Sequence, residues 1–89
     1  MPIQILSSPS AGADTARDLE RAIAAAFPDA LAEVRDNGGG HFEIRVVSAT
    51  FAQQSRVVQQ QRVYAAIAHL LKGDAAPVHA VDRLITEVA

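Results

Sequence analysis

Three imidazoles, His41, His69 and His79, stand in a chain without a single cysteine. Imidazole can serve as a general base or, when neutral, as a ligand for a transition metal. Nucleophilic catalysis would pair such a base with a serine, and Ser7, Ser8, Ser10, Ser48 and Ser55 have no G-x-S-x-G setting. The carboxylates Asp14, Asp18, Glu20, Asp29, Glu33, Asp36 and Glu43 read as solvated charges. Gly38-Gly39-Gly40 invites comparison with a phosphate loop, but no Lys-Ser/Thr pair and no helix follow it. A hairpin turn is the better reading, and no catalytic constellation is present, so an enzyme is not expected. His69 falls on the polar side of a predicted helix and reads as solvated. His41 reads as a polar residue flanking a turn. His79, between Val78 and Ala80, reads either as a histidine satisfied by a backbone hydrogen bond or as a ligand.

The elements that would position these groups follow from periodicity. The chain has 89 residues, 49% apolar and 20% charged, with Phe27, Phe42, Phe51 and Tyr64 as its aromatics. That composition fits one small globular domain with a mostly aliphatic core. No apolar run approaches the roughly 20 residues that span a bilayer, and no secretory leader is apparent, so a cytoplasmic protein is expected. Residues 1–13, with three serines, Pro9 and Gly12, read as a mobile N-terminal segment, leaving 14–89 as the domain. Thr15 with Asp18 resembles a capping box, and Leu19, Ile23, Ala26 and Phe27 recur at helical spacing until Pro28. Residues 30–35 and 41–48 alternate as strands around Asp36-Asn37-Gly38-Gly39-Gly40, which predicts a β-hairpin. Residues 48–54 read as a turn or short helix anchored by Phe51. Residues 55–71 form an amphipathic helix with Val57, Val63, Tyr64, Ile67, Leu70 and Leu71 on its packed arc and Gly73 as its C-cap. Residues 78–86 read as a last strand, with Val78-His79-Ala80 at its start. The order is α-β-β-α-β, an α+β fold with helices packed on a three-stranded sheet.

Charge is uneven along the chain: net −3 over residues 1–40, +3 over 41–72 and −2 over 73–89. A basic middle suggests a partner surface.

Several short pieces occur together in a telling order: His41-Phe42-Glu43-Ile44, Val47-Ser48-x-x-Phe51, Ser55-Arg56-Val57, Gln60-Gln61-Arg62-Val63-Tyr64 and Val78-His79-Ala80. In order and spacing they resemble the BolA family over about residues 14–82. The Gly-rich hairpin and the Arg56-Val57 helix start look most like its small, IbaG-like bacterial members. The resemblance implies a fold similar to class II KH domains. It also implies an adaptor that forms a heterodimer with a monothiol (CGFS-type) glutaredoxin and shares a [2Fe–2S] cluster in iron–sulfur trafficking or iron regulation. By the same resemblance His79 is the main cluster ligand, with His41 the nearest candidate for a second. Arg56, Gln61, Arg62, Val78 and Ala80 then become candidates for the partner surface. Such clusters need four ligands, usually thiolates, with histidine on one iron in Rieske centres. A chain without thiols holds no cluster alone; glutaredoxin and glutathione would supply the sulfur. Imidazole must be neutral to ligate, so sharing should weaken below about pH 6.5.

Two departures stand out. Family members usually continue into a C-terminal helix, which is not expected here because the chain stops at Ala89. Arg83 stands where an inward apolar residue is usual, so the third strand either bulges or shifts burial to Leu84 and Ile85. The competing reading is a KH-like transcriptional regulator with weak, salt-sensitive nucleic-acid binding. A KH groove uses a Gly-x-x-Gly loop between helices, which is lacking. No membrane partner is expected, and alone the chain should be a monomer or weak homodimer.

Overall fold

The apolar alternation of Phe42, Ile44 and Val46 makes one strand the spine of the molecule, and the rest of the fold covers it. The structure, a computed structural model, describes residues 11–89. In chain order it contains α1 (Ala11–Ala26), β1 (Leu31–Gly38), β2 (His41–Val47), a 3₁₀ turn (Ala49–Phe51), α2 (Arg56–Leu71) and β3 (Ala80–Glu87). The sheet order is β1-β2-β3, with β2 antiparallel to β1 and parallel to β3. This is the α+β arrangement the sequence predicts.

Both helices cover the same face of the sheet. Leu19, Ile23 and Phe27 from α1 and its end meet Val63 and Ile67 from α2 over Phe42, Ile44 and Val46, with Phe51 and Val78 closing the two ends. Each such large side chain contributes about 1.5–3 kcal/mol on burial. Phe27 and Phe51 meet edge to face, centroids 5.2 Å apart. Gln59 is one of four buried polar residues, with Thr15, Ser48 and Thr86. Its amide donates to the carbonyls of Phe51 and Gln54 and accepts from the Thr86 hydroxyl at 2.7 Å, tying the 3₁₀ turn, α2 and β3 together.

Several sequence expectations change. Helix α1 begins at Ala11, so residues 11–13 are helical; residues 1–10 of the expected mobile segment lie outside those described. Thr15 is therefore inside the helix, its hydroxyl donating back to the Ala11 carbonyl, and it is no cap. On α2 the buried seam is Gln59, Val63 and Ile67, at i, i+4 and i+8. Val57 and Tyr64, expected to pack, lie together about a third of a turn to one side and are 62% and 41% exposed. Lys72 ends α2 in extended conformation, and Gly73, with φ +89°, follows as the first residue of the next turn. Asp29 is more than a solvated charge: it accepts from Ser48 Oγ, the Ala49 N–H and Thr50 Oγ1. Ser48 thus belongs to a cap, which is a structural use of its hydroxyl. No helix among the described residues is long and apolar enough to cross a membrane.

Candidate functional site

A chain reversal at glycines and a loop after α2 bring two distant imidazoles together. Gly39 and Gly40 form the two-residue turn between β1 and β2 at φ +64° and +81°, the left-handed values that a tight hairpin needs at both positions. On the far side, Val78 is fully packed in the core and its N–H donates to the Leu70 carbonyl, fastening the loop to the end of α2. His79 follows directly. Its N–H and that of Ala80 both donate to the Gly40 carbonyl, at 2.8 and 3.1 Å. The approach is close enough that a Cβ on Gly40 would stand 3.0 Å from the Cβ of His79 and 3.3 Å from the Pro77 carbonyl. His79 therefore lies just before β3, which starts at Ala80, and not inside the strand as the sequence suggested.

His41 opens β2, paired with Gly38 on one side and Ala80 on the other. Its ring centroid is 5.4 Å from that of His79, the planes inclined at 52°. Its Nδ1 lies 2.8 Å from Asp82 Oδ1. Asp82 Oδ2 in turn accepts from the Asn37 side-chain amide, which also donates to Glu43. The hydrogen bond with His41, then that from Asn37, holds the Asp82 carboxyl below the usual carboxylate range.

Of the three histidines the sequence offered, the structure unites His41 with His79. His69 is exposed on α2, beside a groove formed with Asp18, Arg21 and Ala22 of α1. Two imidazoles bound to one metal ion at about 2 Å would have ring centroids about 5 Å apart, so the observed spacing suits a shared ion. Among the described residues no cluster of three or more His, Asp or Glu could hold a metal. The pair by itself could offer such an ion at most two nitrogen donors.

The remaining candidates divide. Ala80 adjoins the pair, and Val78 serves the core with its side chain 2% exposed. Arg56 and Gln61 are exposed toward the other end of α2, Arg56 roughly 20 Å along the helix from Leu70. Arg62 is half-buried, its guanidinium 5.1 Å above the Phe27 ring, a cation–π contact. Asp82 and Asn37 escaped sequence reasoning. The signal for Asp82 was present: the misplaced Arg83 marks an extra residue in β3, and the register does shift between Val81 and Arg83.

Comparisons with known proteins agree with the fold. The family profile described as BolA-like protein matches residues 21–86. BolA1 from Arabidopsis thaliana is similar in structure, with TM-score 0.69 and 18% identity over 82% of this chain and 89% of that one. A bolA protein homologue from Coxiella burnetii gives 0.65 and 25% identity over 81% and 87%. A BolA-like protein from Rickettsia prowazekii gives 0.61 and 21% over 83% and 94%. No curated protein matches the sequence.

Proposed function

The chain belongs to the BolA family, and from that premise we propose that it is an adaptor that docks a monothiol glutaredoxin and shares a [2Fe–2S] cluster with it, through His79 and His41. The observation that carries this reading is the adjacency of the two rings at 5.4 Å beside a glycine turn, with no thiol in the chain. Two nitrogens fit one iron of a cluster, as in Rieske centres. Glutaredoxin and glutathione thiolates complete the second iron. The chain's own part is to hold two neutral donors at fixed separation on an exposed end of the molecule. Replacing thiolates with imidazoles lowers the negative charge of the cluster and raises its potential relative to an all-thiolate site.

The test is to mix the purified chain with a monothiol glutaredoxin carrying its cluster and glutathione. A heterodimer should form whose visible and paramagnetic spectra differ from those of the glutaredoxin alone and report nitrogen on iron. His79→Ala should abolish the nitrogen signature, and His41→Ala should reduce it. An unchanged spectrum with His79→Ala would sink the ligand assignment.

A further inference from the structure

The sheet carries two bulges, one on each side of the first residues of β2, and the two extra residues meet. In β1 the register steps from Asp36 opposite Phe42 to Gly38 opposite His41, leaving Asn37 unpaired. In β3 it steps from Val81 opposite Phe42 to Arg83 opposite Glu43, leaving Asp82 unpaired. Bulges redirect the side chain of the added residue and recur beside functional sites. Here both additions serve one group. Asn37 Nδ2 donates to Asp82 Oδ2 at 3.2 Å and to Glu43 Oε2 at 3.0 Å, and Asp82 Oδ1 meets His41 Nδ1 at 2.8 Å.

We propose that Asn37 and Asp82 are positioning residues that hold neutral His41 in its Nδ1–H tautomer and leave Nε2 as its donor nitrogen. An ionised carboxylate only accepts hydrogen bonds, so the short contact requires the proton on Nδ1. The amide of Asn37 fixes the second oxygen of Asp82 and bridges it to Glu43, so two neighbouring carboxylates are tolerated. No other hydrogen bond is made by the His41 ring among the described residues, which leaves Nε2 unbonded. A carboxylate behind an imidazole is the arrangement that orients metal-ligating histidines and raises their basicity. The purpose of the device rests on the ligand reading of His41; the tautomer itself does not.

The experiment reads the tautomer in metal-free, ¹⁵N-labelled protein at about pH 8, where imidazole is neutral, by long-range proton–nitrogen correlation. His41 should show a protonated Nδ1 and a bare Nε2. Asp82→Ala should shift it toward the Nε2–H form, and Asn37→Ala should do so to a smaller degree, while His69 in the same spectra stays unchanged. Both positions are exposed, and retained amide dispersion verifies that the variants fold. A wild-type His41 already in the Nε2–H form, or an unchanged pattern in Asp82→Ala, overturns the proposal. With the glutaredoxin complex, Asp82→Ala should weaken cluster capture by about 10- to 100-fold; undiminished capture overturns the role in ligation. If His79→Ala leaves the cluster spectrum unchanged while the tautomer result holds, the ligand assignment of His79 fails and the Asp82 assignment stands.

Discussion

Gly40 has two duties in one residue: it turns the hairpin, and its carbonyl receives the two N–H groups that seat His79 and Ala80. A side chain there would meet both a positive φ and the His79 backbone. Gly40→Ala should therefore cost at least about 1–2 kcal/mol, the penalty of left-handed backbone for an L-residue. It should also displace the His79 amide resonance more than those of the distant 3₁₀ turn. Gly38 provides the control, with φ +91° but open space around its missing Cβ; Gly38→Ala should leave His79 in place. Equal stability and an unmoved His79 in Gly40→Ala would refute the seating role. The glycine run announced a turn in the sequence. That Gly40 presses on His79 could not be read there, because nothing local links residues 39 positions apart.

Among the elements, the 3₁₀ turn depends most on a single charge. Asp29 accepts from the Ser48 hydroxyl, the Ala49 N–H and the Thr50 hydroxyl, and the Ser48 hydroxyl bond leads the causes that hold its carboxyl below its ordinary value of 3.8. A carboxyl depressed in the folded state stabilises fully above 3.8, and that stabilisation is lost as pH falls from there through the folded value. Acid unfolding of the wild type should therefore steepen below about pH 4. Asp29→Asn should flatten the stability–pH curve in that window and leave it parallel to wild type near neutrality. A superimposable acid limb would show that the cap adds nothing. Strand β2 and the Ser48–Phe51 turn were legible in the sequence because their apolar residues alternate cleanly or stand alone in polar surroundings. Helix α2 was less so: Val57, Val58, Tyr64 and several alanines surround the true seam, so polarity contrast is low and Gln59, a polar residue, occupies the core. The capping-box reading of Thr15 failed for a related reason, since a hydroxyl inside a helix can bond back to a carbonyl four residues earlier.

At the scale of the molecule, one small core carries everything. Typical stability per residue places an 89-residue domain at about 4–13 kcal/mol. Phe51 is completely buried against Phe27 at the end of the core away from the histidines. Phe51→Ala should cost about 3–5 kcal/mol, a large part of that total, and lower the urea midpoint sharply. A midpoint within error of wild type would mean that this end of the core is dispensable. The layout of the sheet has one further consequence, for the order of assembly. His41 belongs to a hairpin that closes locally, whereas His79 reaches it only when β3 docks parallel to β2 across the intervening helix. Pairing across such a separation is slow relative to hairpin closure. A chain in which β3 has not docked thus displays isolated imidazoles, and the matched pair arises only with that docking. The paired rings are in effect a certificate of completed folding.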